Sequence, residues 1–431
     1  MRKLLLTSTV MLGASLGMAH ASMFQSTADA GSWYVPPVAK LSPGQIVVHI
    51  DLRTNVYFGV AGSSANNVAG NKQSAVGMVG YNRMYFGADG LAANGLKYGM
   101  SLEVRQNFGS PLGTGFGAGA SGNSTYNTLF VRRDYVYMGT DQLGTFRFGQ
   151  TDGPATLFLL GTFEGFNDGG WNGDVPAMVP GAVQPVWAWA DVGNLYTTGK
   201  IEYLSPNLAG FDFGISFAPS QAGIQDGGGC TAAYTGCAMQ SSVAAGAAGI
   251  AQAKNTVEVA GRYRGNFSGF GVAASAAYIG SGYVTNSSGP NKYDGLSVGD
   301  FGLELSYAGV TVGGNVEGGQ MNGQWGLMPK GGKQGVAWIA GAQYTTGPVV
   351  IGASYFNYQD QGTFGVGTQR SNTGVAAGGT YAIAPGLVAY LSYLYGDIRQ
   401  GGVNLLTGAT GTGSNNEVHS QVITLGTRFM W

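Results

Sequence analysis

Apolar and polar side chains alternate with a period of two residues through most of the chain beyond residue 44. In the segment 45–60, for example, Ile50 and Leu52 alternate with Asp51 and Arg53. Successive side chains of a β-strand point to opposite faces, so each such segment predicts a strand with one apolar and one polar face. A helix would repeat its apolar positions about every 3.6 residues instead.

Sixteen segments carry this alternation. They are 45–60, 74–87, 96–107, 127–139, 144–149, 198–205, 210–218, 254–264, 268–280, 297–308, 310–319, 335–346, 348–358, 372–384, 386–397 and 421–431. The connections between them are alternately long and short, as in an up-and-down barrel, where alternate connections lie at opposite rims. A soluble sandwich would share the period of two but has no reason to order its connections in this way. We expect an all-β fold, a 16-stranded antiparallel transmembrane β-barrel with short periplasmic turns and long external loops.

The composition agrees with an outer surface that does not face water. Charged residues make up 10% of the chain, against about 25% in a typical soluble protein. Because 21 basic side chains nearly balance 22 acidic ones, there is no basic excess for a nucleic acid partner. Hydrocarbon cannot satisfy backbone N–H and C=O groups, so a sheet that crosses a membrane must close on itself.

The N-terminus predicts export. Arg2 and Lys3 precede an apolar run that ends at Ala19-His20-Ala21, which is typical of a secretory signal peptide over 1–21. The alternative, an N-terminal membrane anchor, is disfavoured because the run is short and polar residues follow it. We expect 22–44 to form a periplasmic N-terminal extension and 45–431 to form the barrel.

Three stretches carry a family resemblance. They are RRDYVYMGTDQLGTFRFGQTDGP (132–154), KIEYLSPNLAGFDFGISFAPS (200–220) and VITLGTRFMW (422–431). In these the chain resembles the general porins of the Gram-negative outer membrane, a family of 16-stranded trimeric barrels. The resemblance implies a homotrimer among outer-membrane lipid and lipopolysaccharide, and a third loop, about 150–197, that folds inward and narrows the channel. It also implies that the C-terminal aromatics Phe429 and Trp431 are read by the outer-membrane assembly machinery, although Trp stands where Phe is usual.

The predicted third loop is rich in carboxylates and contains no Lys or Arg. Its acidic residues are Asp152, Glu164, Asp168, Asp174 and Asp191. We predict that Glu164, Asp168 and Asp174 form the constriction. The alternative is that some of them cap turns or lie on the outer rim, as Asp beside Gly often does.

Arginines on the inward phase of the first five segments should face this loop. They are Arg53, Arg83, Arg105, Arg132 and Arg147. Opposed rows of positive and negative charge would create a transverse field across a narrow waist. The alternative is a ladder of lumenal salt bridges with Glu103 and Asp51.

The phase of segment 127–139 places its side chains on opposite faces. Tyr135 and Tyr137 are predicted to point outward, which puts Arg132 and Asp134 inside. Arg133 would then point outward, where only a subunit interface could shelter it from lipid. Aromatic residues elsewhere on the outward phase should form interfacial girdles: Phe146, Phe148, Tyr203, Phe211, Phe213, Tyr393 and Tyr395.

These features indicate a water-filled channel for passive diffusion of small hydrophilic solutes and ions. One alternative is a solute-specific porin for a saccharide or an anion, in which Trp171, Trp187 and Trp189 stack on a sugar or else anchor the loop. A weaker alternative is a surface receptor or adhesin.

An enzyme is not expected. Beyond the signal peptide the histidines are His49 and His419, which the strand order places at opposite ends of the barrel. The chain offers no catalytic constellation, so we assign no catalytic residue, cofactor or metal. Cys230 and Cys237 lie close together in the fourth loop, and the oxidising compartment favours a disulfide between them.

Overall fold

Sixteen antiparallel strands close into a barrel. The computed structural model describes residues 41–68, 70, 72–108, 129–189, 197–221, 252–284 and 293–430. The strands are β1 (Ile46–Ser63), β2 (Val76–Leu91), β3 (Lys97–Phe108), β4 (Phe130–Thr140), β5 (Gly144–Asp152), β6 (Thr197–Leu204), β7 (Phe211–Ser220), β8 (Gln252–Phe267), β9 (Phe270–Val284), β10 (Ser297–Tyr307), β11 (Val310–Gln320), β12 (Gly335–Thr346), β13 (Val349–Asp360), β14 (Arg370–Ala384), β15 (Leu387–Arg399) and β16 (Glu417–Met430). Each strand pairs with its neighbours in the chain, and β1 pairs with β16 to close the sheet. The predicted fold class and all sixteen segments are confirmed.

The strand boundaries differ from the sequence prediction by up to four residues, as at β5 and β16. Strand β5 continues to Asp152 because Thr151 and Asp152 pair with Thr198 and Thr197 of β6. The third connection therefore spans 153–196 rather than 150–197. Strand β16 begins at Glu417, four residues earlier than predicted, since Glu417 pairs with Arg399.

Short turns and long loops occupy opposite rims, as predicted. At the turn rim, Gly347 and Gly386 adopt positive φ angles of 52° and 73°, which glycine adopts without the steric cost that a Cβ imposes. At the loop rim, Tyr293–Asp294 pairs with Met328–Pro329 in a small separate sheet. That pairing joins the loop after β9 to the loop after β11.

The two faces of the barrel have opposite chemistry. Apolar side chains such as Val48, 72% exposed, cover the outer face, while the polar side chains of Arg53 and Asn55 lie on the inner face. The predicted outward aromatics Phe146 and Phe211 are exposed on the outer face. No helix in the described ranges is long and apolar enough to cross a membrane.

Strand β4 departs from the predicted alternation. A β-bulge lies where Glu103 of β3 pairs with Arg133 and the next residue, Val104, pairs with Val131. Because a bulge sets two residues against one, Arg132 and Arg133 both face the lumen, and the phase of the strand reverses beyond them.

Two predictions on β4 were therefore wrong. Arg133 is buried inside the barrel and does not point outward. Tyr135 is buried on the inner face and the Tyr137 hydroxyl bonds to Asp89 there, whereas Asp134 is exposed on the outer face.

Several predictions concern residues outside the described ranges. They include the signal peptide over 1–21, most of the extension over 22–44, the pair Cys230 and Cys237, and Trp431. The neighbouring aromatic, Phe429, is exposed on the outer face of β16.

Candidate functional site: the third loop and the barrel lumen

The third loop turns into the barrel directly after β5. A single-turn helix, α1 (Pro154–Leu157), follows Gly153, and its first residue, Pro154, has the fixed φ that suits a helix start. Three 3₁₀ turns follow at Gly170–Asn172, Val175–Met178 and Gly181–Val183. The loop follows the inner wall past the later strands to β16 and β2, and then returns.

The third loop packs against five lumen-facing glycines of the wall, here called the glycine bed. These glycines are Gly302, Gly341, Gly352, Gly374 and Gly396, on β10 and on β12 through β15. A Cβ added at Gly341 or Gly352 would lie within 2.8 Å of the ring of Phe163 or Phe166. A Cβ at Gly396 would lie 2.6 Å from Pro185. Glycine on the inner face therefore makes the room in which the loop lies.

Tryptophans hold the loop on the wall. The Trp171 indole N–H donates to the carbonyl oxygens of Val375, at 3.0 Å, and Tyr395, at 3.2 Å. The rings of Trp187 and Trp189 lie 4.7 Å apart, and both meet the edge of Phe356. All three indoles are buried. Of the two roles considered for them, the structure supports anchoring, because no indole face is open to a sugar.

Asp168 contacts the arginine side of the wall. One carboxylate oxygen, Oδ1, lies 2.8 Å from Nη2 of Arg53. The other, Oδ2, accepts hydrogen bonds from Asn55 Nδ2, at 2.9 Å, and from the Tyr57 hydroxyl. Arg53, Asn55 and Tyr57 occupy alternate positions of β1 and all point inward. The Asp168 carboxylate therefore contacts all three.

The other two predicted constriction carboxylates have different surroundings. Asp174 Oδ2 lies 3.4 Å from Nη2 of Arg83, and the Asp174 side chain is 25% exposed. Glu164 is buried and accepts a hydrogen bond from Asn172 at 2.7 Å, within the loop itself. Asp174 is therefore the predicted constriction carboxylate that water reaches most easily.

Arg53 and Arg83 share one aromatic ring. Their guanidinium carbons lie 5.2 and 4.3 Å from the ring centroid of Tyr81, within the range of cation–π attraction. Both arginines are 3% exposed. The sequence predicted arginines and carboxylates opposed across a narrow waist. Arg53 and Arg83 instead contact Asp168 and Asp174 directly, because the loop reaches β1 and β2. Each charge cancels much of the field of its partner.

Two of the remaining predicted arginines, Arg105 and Arg132, belong to a buried network with carboxylates. Glu103 lies between Arg105, Arg132 and Arg133, and Arg133 also bonds to Asp152. Arg105 and Arg132 therefore adopt the arrangement given as the alternative, a ladder of lumenal salt bridges that includes Glu103.

Arg147 and Asp51, which the predictions also named, contact other partners. Arg147 lies 3.5 Å from Glu202, and its guanidinium carbon is 5.2 Å from the ring centroid of Tyr135. Asp51 was predicted as a ladder partner, but it lies 3.2 Å from His49 Nδ1. In the described part of the chain, no three His, Cys, Asp or Glu side chains are arranged to hold a metal ion.

Sequence reasoning missed several residues that position the loop. They are Asn55, Tyr57, Asn315, Asn372, Ser420 and the glycine bed. Asn372 Oδ1 accepts from the Val186 N–H at 3.1 Å, and the Ser420 hydroxyl donates to the Val183 carbonyl at 2.7 Å. The available signal was a polar or glycine residue on the inward phase of a strand, but that signal does not identify the partner.

Comparison with known proteins gives a consistent result. A family model described as Gram-negative porin matches residues 8–401. No curated protein matches the chain. Among solved structures, an anion-selective porin from Comamonas acidovorans is similar, with a TM-score of 0.51, 15% identity and coverage of 90% of this chain and 100% of that one.

Two other solved structures show the same fold. OmpF from Salmonella typhi, in complex with daunomycin, has a TM-score of 0.55 at 15% identity and covers 89% of this chain and 97% of its own. OmpT from Vibrio cholerae, described as a trimer form, has a TM-score of 0.50 at 12% identity, with 89% and 100% coverage. At these identities the likeness establishes the fold.

Proposed function

Because the chain belongs to the family of Gram-negative porins, we propose that its outer-membrane channel is narrowed by the third loop, with Asp168 and Asp174 set against Arg53 and Arg83. The supporting observation is the contact of Asp168 with Arg53, Asn55 and Tyr57. A loop held at several points on the wall keeps a constant shape, which a passive diffusion channel needs.

The charge balance at this position supports a channel for small hydrophilic solutes and ions in general. Arg53 and Arg83 are matched by Asp168 and Asp174, so neither sign of charge dominates. Trp171, Trp187 and Trp189 are buried and offer no open ring face to a sugar. We therefore favour diffusion over a solute-specific site.

The proposal includes a homotrimer, with the outer face of β1 to β3 as the contact between subunits. Thr54 Oγ1 donates to Asn82 Oδ1 at 2.8 Å, and Asn82 Nδ2 lies 3.5 Å from Gln106 Oε1. This polar row crosses three strands between apolar residues of the outer face, where contact with lipid would be unfavourable. Burial against another copy of the chain removes that cost.

The distribution of aromatics supports the same surface. The large exposed aromatics on β5 and β7 are Phe146, Phe148, Phe211, Phe213 and Phe217. Among the side chains of β1 to β3 whose burial the structure describes, they are Phe58 and Tyr98. Since aromatic girdles mark lipid-facing parts of a barrel, β1 to β3 have the character of a protein contact.

The test is single-channel recording of the refolded protein in a planar bilayer under a salt gradient. Ohmic steps that occur in groups of three would support a trimeric diffusion channel. Block by a sugar or an anion would favour a solute-specific porin. The absence of conductance from a folded barrel would overturn the proposal and favour a receptor or adhesin.

A further inference from the structure

Asn315 is a buried amide on the inner face of β11, and it contacts both arms of the third loop. Its Nδ2 donates to the carbonyl oxygen of Leu160, on the outgoing arm, at 3.0 Å. Its Oδ1 accepts from the indole N–H of Trp189, on the returning arm, at 2.6 Å. One wall side chain thus joins two loop positions that are far apart in sequence.

The orientation of this amide is fixed by its partners. Besides Leu160, Nδ2 donates to Asp300 Oδ1 on the neighbouring strand at 3.2 Å. Both N–H bonds of the amide have acceptors, and the oxygen has a donor. A flipped amide would set Nδ2 against the Trp189 N–H and the oxygen against two other oxygens, so a single arrangement satisfies the site.

Each arm of the loop makes a further contact with the barrel wall close to Asn315. On the outgoing arm, the Gly161 N–H donates to Glu304 Oε1 of β10 at 2.8 Å. Gly161 has a φ of +83°, and a Cβ there would collide with the Gly314 backbone. On the returning arm, Trp189 packs on Trp187 and Phe356. The outgoing arm therefore meets the wall at β10 and β11, and the returning arm meets it at β11 and β13.

We propose that Asn315 is a positioning residue that clamps the two arms of the third loop and thereby sets where Asp168 and Asp174 meet the arginine wall. The inference rests on the proposed function of this loop as the channel constriction. The barrel itself closes through the hydrogen bonds between its strands. Loss of the clamp is therefore expected to release the loop and leave the barrel intact.

Three variants separate the contacts. Asn315→Leu removes the hydrogen bonds to both arms of the loop, so the Trp189 N–H and the Leu160 carbonyl lose this partner. Asn315→Asp keeps an acceptor for Trp189, loses both donors and sets a second carboxylate beside Asp300. Trp189→Phe keeps the asparagine and removes the contact to the returning arm. The control is Asn357→Leu on the outer face of β13, because Asn357 bonds to Ser371 and Thr373 there, on the side of the sheet away from the loop.

The first measurement does not depend on conductance. Chymotrypsin cleaves after aromatic residues, and Phe163 and Phe166 are buried by the docked loop. Since cleavage requires local opening, Asn315→Leu in a folded barrel should be cut at these residues at least about tenfold faster than the parent protein. Trp189→Phe should show a smaller increase in the same direction, and Asn357→Leu should show none.

The second measurement is single-channel recording. Asn315→Leu should change the conductance by about twofold or more and raise the open-channel noise, because the loop lies in the permeation path. The double variant with Trp189→Phe should be little worse than Asn315→Leu alone, since both disrupt one contact.

The outcomes separate the clamp from the proposed function. Parental cleavage rates and conductance in folded Asn315→Leu would overturn the clamp. If Asn315→Leu fails to fold, parental values in Trp189→Phe and Asn315→Asp would overturn it. If the parent protein does not conduct, the proposed function fails, and the cleavage rates still decide whether Asn315 holds the loop.

Discussion

The Oδ1 atom of Asp168 lies 2.8 Å from Nη2 of Arg53, and the two side chains are 2% and 3% exposed. Asp168 belongs to the third loop and Arg53 to the first strand, so this ion pair ties the loop to the strand that closes the barrel. A buried ion pair stabilises a structure mainly because each partner would be costly alone.

Asp168→Asn should weaken the docking of the loop and, because it leaves the Arg53 charge without its neutralising carboxylate, should shift ion preference towards anions. The substitution leaves the Arg53 charge buried without its carboxylate, at a cost of about 3–5 kcal/mol. The midpoint of urea unfolding measures the first effect, and the reversal potential under a salt gradient measures the second. Asp141→Asn is the control, since Asp141 is 76% exposed and pairs with Lys97 at a turn. Equal reversal potentials for Asp168→Asn and the parent protein would contradict the prediction.

Asp174 and Glu164 should differ in their effect on selectivity. Asp174 is 25% exposed beside Arg83, whereas Glu164 is buried within the loop. Asp174→Asn should move the reversal potential towards anion preference, because it removes a charge that permeating ions encounter. Glu164→Gln should leave the reversal potential close to the parental value. A larger shift for Glu164→Gln than for Asp174→Asn would show that the assignment of the water-facing carboxylate is wrong.

Substitution of a glycine in the glycine bed by a residue with a Cβ should destabilise the protein, because the Cβ would collide with the loop. A Cβ at Gly341 would lie 2.7 Å from the Phe163 ring, so Gly341→Ala should cost about 1–3 kcal/mol and alter the conductance. Gly299→Ala is the control on the outer face of β10, because its Cβ would point away from the loop and its nearest atom would be 3.8 Å away. Urea unfolding and single-channel recording check both variants. Parental behaviour of Gly341→Ala would mean that the loop does not lie on this glycine.

The proposed subunit contact predicts the effect of a charge at Asn82. Asn82→Arg should dissociate the trimer, because it places charge in the polar row between subunits. Light scattering in detergent measures the mass of the assembly. Val316→Arg, on the outer face near the middle of β11, should destabilise the barrel by about 2–4 kcal/mol and leave the trimer intact. A trimeric Asn82→Arg protein would exclude this face as the contact.

The bulge in β4 predicts opposite roles for two adjacent residues. Arg133→Leu should destabilise the barrel by about 1–3 kcal/mol, because it removes one of the three arginines around Glu103 and the nearest partner of Asp152. Asp134→Leu should have little effect or stabilise the protein, since Asp134 lies on the outer face. Urea unfolding in detergent distinguishes the two. A stabilising Arg133→Leu substitution would instead place Arg133 outside.

Much of the barrel could be predicted because its signals are local. The period of two identifies a strand from its own residues, and the order of long and short connections identifies the rims. Arg53 and Asp168 could therefore be assigned to the inner wall and the third loop. The limit of this reasoning appears at β4, where one extra residue at Arg132 reverses the predicted faces of Tyr135 and Tyr137.

The sequence by itself determined the strands, their order and the inward phase of most of the arginines, because the backbone geometry of a strand fixes the alternation of its faces. The tertiary structure alone decided that Asp168 touches Arg53, that tryptophans anchor the loop and that Asn315 joins its two arms. These contacts connect residues that are distant in the chain. Their partners are set by the path of the loop across the glycine bed, and no local pattern encodes that path.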